Sequence, residues 1–311
     1  MTVQAVQQAA VGLGGLGETA CGPLVARALA GEVAPDLGFR DRASEQIYRS
    51  LQPELEPHRP AKPAMLALIA TTWVIDQIVG SFTSRHPHAQ IVDLGAGLST
   101  RFQRIDNGML TWIDVDRPEV VTLRETLFPF CDRRSMVGAD IGGPDWIERL
   151  PLRPAPTLVI AEGLFAYASP ETMTAVLADL AATTGTRTEL LHDFSSRLLA
   201  RRLGPRQPGT GAAVRRGIRR PRDLTREGWH LTAIHPVYEA MGLPYSVIGA
   251  VLRRLGRCCP HGVAHLVCTT GAEETGDRDA AAMVAAGAGR AESALSRPDG
   301  TRSSARPPSP R

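Results

Sequence analysis

Apolar residues in the middle of the chain fall into two alternating patterns. Short apolar runs occur at 91–94, 110–115, 136–139, 158–161, 188–191 and 263–268. Runs this short, rich in Val, Ile and Leu and set between turn residues, read as strands. Between them lie stretches with a helical period. Over 65–82, Leu66, Ile69, Trp73, Val74, Ile78 and Val79 share one side of a helix. A further helix opens at Pro118, and another runs from the capping Ser169 and the following Pro170 to Ala182. A short helix is expected from about 99, 227–256 reads as mixed helical, and the proline-broken stretch 53–63 reads as a connector. Strand and helix alternating over this length predict an α/β fold, a mainly parallel sheet with helices on both faces.

The first of these strands organises the rest. It carries Asp93 inside its apolar run and ends in Gly95-Ala96-Gly97, with Ser99 and Thr100 placed to cap a following helix. A strand, a turn almost without side chains and a helix N-terminus let a ligand lie against bare backbone. Dinucleotide sites use G-x-G-x-x-G and an acid about 20 residues further on. Thr100 stands here in place of the third glycine, whereas the acid is present as Asp116 at the end of the second strand. Losing the glycine that admits a pyrophosphate fits a cofactor without phosphates, such as S-adenosylmethionine (SAM). Other strands also end in acids: Asp140, Glu162 before Gly163, and the pair His192-Asp193. Ligands of open α/β sheets bind at the carboxyl ends of strands, so these acids suggest a site for a hydroxyl-rich, cationic ligand. Each acid taken alone is equally a helix cap, whereas the turn with its spaced acid reads as a cofactor site in preference to an ordinary strand-turn-helix.

Composition narrows the picture. The 311 residues are 43% hydrophobic, enough for a sizeable core, and the net charge of +3 is too small to imply a nucleic-acid partner. Five scattered cysteines show no C-x-x-C and no ligand spacing, so neither a disulfide framework nor a metal is expected, and a reducing cytoplasm fits. No apolar run reaches 18 residues and no signal peptide is apparent, so no membrane span is expected. Residues 1–20 read as a flexible leader, 21–270 as one domain and 271–311 as a disordered tail. Within the domain, 197–226 carries ten arginines and one acid with no interleaved aromatic. It reads as a loop or lid over the site rather than a base-stacking surface.

An ordered set of motifs then matters more than any one of them. Residues 92–104 with the glycine turn, Asp106-Asn107-Gly108, 112–120 with Asp114 and Asp116, Leu123-Arg124, Ala139-Asp140, Asp145-Trp146, Glu162-Gly163-Leu164 and Tyr167 follow in sequence. The set resembles the leucine carboxyl methyltransferase family, in its bacterial branch of polyketide O-methyltransferases similar to the tetracenomycin one. The resemblance spans 90–193 clearly and implies a Rossmann-like class I methyltransferase fold with SAM as cofactor. It implies that Asp93, Gly95, Ala96 and Gly97 line the cofactor, that Asp116 takes the ribose hydroxyls and that Asp140 and Ile141 flank the adenine. Glu162 and Gly163 would lie at the methionine end and Tyr167 at the reacting centre. Two positions depart from the family: Ser99 replaces an Asp, and 69–72 lacks an Arg that pairs with the cofactor carboxylate, leaving Thr71, Thr72, another Arg such as Arg42, or no residue at all to replace it.

The expected acceptor is a small molecule, a polyketide-like acid methylated on a carboxylate, to which Arg101 or Arg104 would pair. A carboxylate is ionised at neutral pH and needs no base. A hydroxyl acceptor would need one, and His192 at a strand end is the candidate. An NAD(P)-dependent oxidoreductase and a catalytically silent SAM-binding or scaffold protein remain the rivals. The oligomeric state is not legible.

Overall fold

Gln90–Leu94 is buried at every residue, as is Thr157–Ala161. A strand with no solvent face must be covered on both sides, which is the condition of a central parallel strand. The computed structural model describes residues 18–183, 188–196, 217, 225, 228–254 and 259–268. These all fall in the unit Met1–Gly271; the second unit, Ala272–Arg311, lies outside the described residues, as do the expected leader up to 17 and nearly all of the arginine-rich loop.

The strands are β1 (Gln90–Leu94), β2 (Thr111–Asp116), β3 (Arg134–Gly138), β4 (Thr157–Ala161), β5 (Thr188–Ser195), β6 (Trp229–Pro236) and β7 (His261–Cys268). They form one seven-stranded sheet in the order β3-β2-β1-β4-β5-β7-β6. β1 to β5 run parallel, whereas β7 is antiparallel to both β5 and β6. The principal helices are α1 (Glu18–Ala28), α2 (Arg42–Ser50), α3 (Lys62–Arg85), α4 (Arg101–Ile105), α5 (Pro118–Leu127), α6 (Pro170–Thr183) and α7 (Tyr245–Arg254). The result is the Rossmann-like α/β sheet that the alternation predicts.

Two apolar layers cover the sheet. On one face Ile91, Trp112, Leu158, Ile160, Leu191 and Val263 pack with Ala70, Val74, Ile75, Val79 and Phe82 of α3. On the other, Val92, Ile113, Val159, Leu190 and Leu266 pack with Met173, Val176, Leu177 and Leu180 of α6. A third cluster joins α1, α2 and the start of α3 to Leu98 of the glycine turn and Leu123 of α5. By length and composition α3 is apolar enough to cross a membrane, with a mean hydropathy of 1.5 over its most apolar stretch. In the fold it lies along the sheet and buries Thr71, Thr72 and Asp76 as well as its apolar side.

Two local expectations are corrected. Residues 229–236, expected within a mixed helical region, are the edge strand β6. Trp229 is buried and His230 exposed, but a register shift between Leu231 and Ala233 interrupts the alternation. An edge strand is half covered, so its period-2 signal is weak. Thr100 occupies the N-cap position of α4 without capping it, because its hydroxyl donates to Asp41 instead. Ser169 does cap α6, accepting from the Thr172 N–H at 3.1 Å.

The burial of α3 carries a stability prediction. Ile75 is fully buried between helix and sheet, and Gln77, two residues on, is exposed. Ile75→Ala should cost about 2–5 kcal/mol in urea unfolding through the cavity it leaves, and Gln77→Ala less than about 0.5 kcal/mol. Equal effects would contradict the packing of this helix on the sheet.

Candidate functional site

The turn after β1 is fixed from several directions. Gly95 and Gly97 have φ of 65° and 47°, conformations that side chains rarely adopt. The Gly95 and Ala96 N–H groups both donate to the Val115 carbonyl, at 2.8 and 3.2 Å. Gly97 N–H donates to Asp116 Oδ2 at 2.7 Å, and Arg117 N–H donates to Oδ1 at 2.8 Å. Four consecutive carbonyls are then held by arginines. Arg124 of α5, fully buried, donates through Nη1 to Ala96, Gly97 and Ser99 at 3.2, 2.6 and 3.2 Å. Arg27 of α1 donates to the Leu98 carbonyl at 2.8 Å. A Cβ added at Gly97 would meet only the Gly95 carbonyl, at 3.9 Å, so space lies open beside the turn.

Arg124 is itself anchored. Its Nη2 lies 2.8 Å from Asp114 Oδ2, and Asp114 also accepts from Arg134 at 2.6 Å and Trp112 Nε1 at 2.9 Å. Burial works against the Asp114 charge, but the two guanidiniums outweigh it and hold the carboxyl below its usual range.

The strand-end acids on the α3 face share a second set of arginines. Arg101, 1% exposed, pairs with Asp76 at 2.7 Å and with Glu162, and its Nη1 lies 3.7 Å from Asp93. Burial disfavours the Arg101 charge, yet Glu162, Asp76 and Asp93 together hold its pKa above the ordinary value. Glu162 also accepts from the Thr72 hydroxyl at 2.8 Å. Arg104 pairs with Asp76 at 2.8 Å and Asp41 at 2.5 Å. Asp41 caps α2 through the Ser44 N–H at 3.0 Å and lies 3.4 Å from Arg27. Arg101 and Arg104 are therefore committed to carboxylates of the chain itself, a correction to the expectation that one of them meets the acceptor. Arg42 is exposed, while Thr71 donates to the Ala67 carbonyl and lies 2.8 Å from His261 Nε2.

Asp93 differs from its neighbours. Burial pushes its carboxyl up to about 6, with Arg101 pulling in the opposite direction. Asp93 Oδ2 and Arg101 Nη1 are both buried with no hydrogen-bond partner among the described residues.

Beyond Glu162 the chain turns at Gly163, with a φ of 74° and no atom within 4 Å of an added Cβ. The Gly163 N–H donates to Asp193 Oδ1 at 2.6 Å. Asp193 is raised by burial, with His261 acting against the shift, and the Tyr167 phenol is raised by burial and by the Asp193 charge. Tyr167, Asp193 and Gly163 are thus neighbours. His261 is a residue that the sequence reading missed; its Nδ1 lies 2.8 Å from the Phe194 carbonyl and 3.2 Å from Ser195 Oγ. His192 sits elsewhere. Along β5 it shares the face of Leu190 and Phe194, 2% exposed and edge-on to Phe165 with ring centroids 5.4 Å apart. At the other end of the sheet Asp140 is exposed and Ile141 half-buried. A concavity of about 440 Å³ opens there, lined by Pro118, Gly138, Asp140, Asp145, Trp146 and Arg149.

The sequence profile of leucine carboxyl methyltransferases matches residues 20–181, more than half of the chain. The chain belongs to the leucine carboxyl methyltransferase family. A curated relative, the tetracenomycin polyketide synthesis O-methyltransferase TcmP of Streptomyces glaucescens, is 36% identical over 157 residues. That match covers 50% of this chain and 57% of the relative, little more than half of each. Among solved structures, a methyltransferase from Thermobifida fusca YX is 17% identical, with a TM-score of 0.48 over 78% of this chain and 93% of its own. Magnesium protoporphyrin IX methyltransferase of Synechocystis PCC 6803, solved with SAH, is 12% identical, with a TM-score of 0.45 over 78% and 98%. With TM-scores below 0.5, neither likeness adds to what the strand order already gives.

SAM is the cofactor of this family, and the residues present fit it. The turn borders open space at Gly97, and the Asp116 carboxylate, with one backbone N–H on each oxygen, keeps lone pairs for two vicinal hydroxyls. Asp93 Oδ2 and Arg101 Nη1, 3.7 Å apart, are buried polar atoms without a hydrogen-bond partner among the described residues, and a Cβ at Gly163 would meet nothing within 4 Å.

Two predictions rest on this geometry. Arg124→Met removes the donor to three turn carbonyls, and SAM affinity should fall about tenfold or more, with partial recovery in Arg124→Lys. Calorimetry showing unchanged affinity in a folded Arg124→Met would contradict the role given to Arg124. The second concerns pH. The folded state keeps the Asp93 proton to about 6, whereas the unfolded chain releases it near 4, so this group lowers stability as pH rises through that window. Asp93→Asn should therefore be more stable than wild type at pH 8, by on the order of 1–3 kcal/mol, and the difference should vanish below about pH 4. A gap that persists at low pH would contradict it.

Proposed function

We propose that the chain transfers a methyl group from SAM to an oxygen of a small acceptor, with a carboxylate of a polyketide-like acid as the target. The observation that carries this reading is the arginine-held turn, open at Gly97 and joined to Asp116, in a chain of this family. SAM, when bound, supplies a methyl group on a sulfonium, an activated electrophile for in-line displacement. Asp116 would hold the ribose hydroxyls, 95–97 would lie along the nucleoside and Asp140 with Ile141 would flank the adenine. Glu162 and Gly163 would border the methionine end, and Tyr167 the reacting centre. A carboxylate acceptor arrives ionised and asks of the protein only alignment and exclusion of water. The name of the curated relative, a polyketide synthesis O-methyltransferase, supports the acceptor class.

One observation favours a second reading, methylation of a hydroxyl. Arg101 and Arg104 are occupied, while Tyr167, Asp193 and His261 form a titratable group at the reacting end. A hydroxyl must lose its proton as the methyl arrives, and a positioned base contributes about 10²–10⁴-fold. On that reading the base is drawn from Asp193 and His261, and His192, packed on the opposite face, is spectator.

The product separates the two. With a polyketide-like hydroxy acid and radiolabelled SAM, mild alkali should release labelled methanol from a methyl ester. A label that survives alkali, as in an aryl methyl ether, would overturn the carboxylate reading in favour of the hydroxyl one.

A further inference from the structure

Among the described residues most of the buried carboxylates face an arginine. Asp41 and Asp76 face Arg104, Asp114 faces Arg124 and Arg134, and Glu162 faces Arg101. Glu162 stands where the cationic half of SAM would lie, yet Arg101 and Thr72 take both of its oxygens. Its charge is largely spent inside the protein.

Asp193 is different. Among the described residues no arginine pairs with it. One oxygen accepts from the Gly163 N–H at 2.6 Å, which fixes the carboxylate beside the turn that follows Glu162. That turn borders open space, since a Cβ at Gly163 would meet nothing within 4 Å. The ionisable groups around Asp193 are His261, Tyr167 and the arginine-paired Glu162, and its residue is only partly buried. A carboxylate held by a backbone donor, only partly covered, with no arginine on it among the described residues and with a basic neighbour, His261, whose own charge burial disfavours, is arranged to meet positive charge from a ligand.

We infer that Asp193 is the residue that recognises the positive charge of the methyl donor, and that it makes the site prefer SAM to its demethylated product. The inference rests on the methyltransferase reading above. SAM carries a sulfonium and an ammonium against one carboxylate, whereas S-adenosylhomocysteine (SAH) has lost the sulfonium charge. A fixed carboxylate near that sulfur stabilises the substrate form over the product, which keeps only the ammonium, and so helps expel the product after transfer. Glu162, already neutralised by Arg101, cannot discriminate the two in this way.

Calorimetry on the full chain tests it with SAM, SAH and 5′-methylthioadenosine, the last reporting the nucleoside half without the amino-acid tail or the charge. Asp193→Asn keeps the shape and the acceptor for Gly163 N–H while removing the charge. The variant should lose about tenfold or more in SAM affinity, keep SAH and methylthioadenosine within about twofold, and so lose its preference for SAM. Asp193→Ser gives the same test should the Asn variant not fold. An unchanged ratio of SAM to SAH affinity overturns the inference, as does an equal loss of both. A wild-type chain that binds neither overturns the methyltransferase reading and this inference with it.

Discussion

A carboxylate taken out of water costs several kcal/mol unless a cation goes with it. This chain buries acids inside its strands, at Asp93 and Asp114, and on the helices packed beside them, at Asp41 and Asp76, and much of the site's structure follows from how those charges are met. Arg27, Arg101 and Arg104 face Asp41, Asp76 and Glu162, three cations against three anions, with Asp93 beside them. Burial raises Asp93, and no such rise occurs at Glu162 or Asp41, because their arginines outweigh the burial. Arg27 and Arg124 each face a buried acid and also grip backbone carbonyls, so charge balance and the shape of the glycine turn are one problem with one solution.

That coupling extends beyond the sheet. Arg27 comes from α1 and Asp41 from the start of α2, and together with Thr100 and Ser44 they tie the N-terminal helices to the residues just after the glycine turn. The apolar contacts run the same way, since Leu98 and Leu123 belong to the cluster built by α1 and α2. The N-terminal helices are therefore part of the wall of the site. Loosening them would release the Leu98 carbonyl and the Asp41 carboxylate together, and a buried ion without its partner is among the most destabilising changes a fold can suffer.

How much of this the sequence discloses depends on the range of the interaction. Strands β1, β2 and β4 are legible because both faces are buried and their apolar runs are continuous. The glycine turn and Asp116 are legible because a sharp turn and an acid at a fixed spacing leave local marks. β6 is not, because an edge strand with a bulge has no clean alternation. Arg101 and Arg104 look like solvent-facing helix residues one at a time; their burial appears only when Asp76, from a helix 25 positions earlier, and Glu162, 61 positions later, arrive beside them. His192 and Asp193 are neighbours in sequence, but alternation along β5 sends them to opposite faces, and the sequence gives no sign of which face holds the site. His261 belongs to the site only through its pairing with Ser195 across an antiparallel ladder.

The central claim is that the arginine-held turn between β1 and α4 is the cradle of the methyl donor. A crystal structure of the full chain soaked with SAH tests it most directly. The ribose hydroxyls should lie on the Asp116 carboxylate, the nucleoside against Gly95 to Gly97 and the thioether beside Gly163, with the Arg124 contacts to the turn unchanged. Ligand bound elsewhere on the chain, with the turn empty, would contradict it.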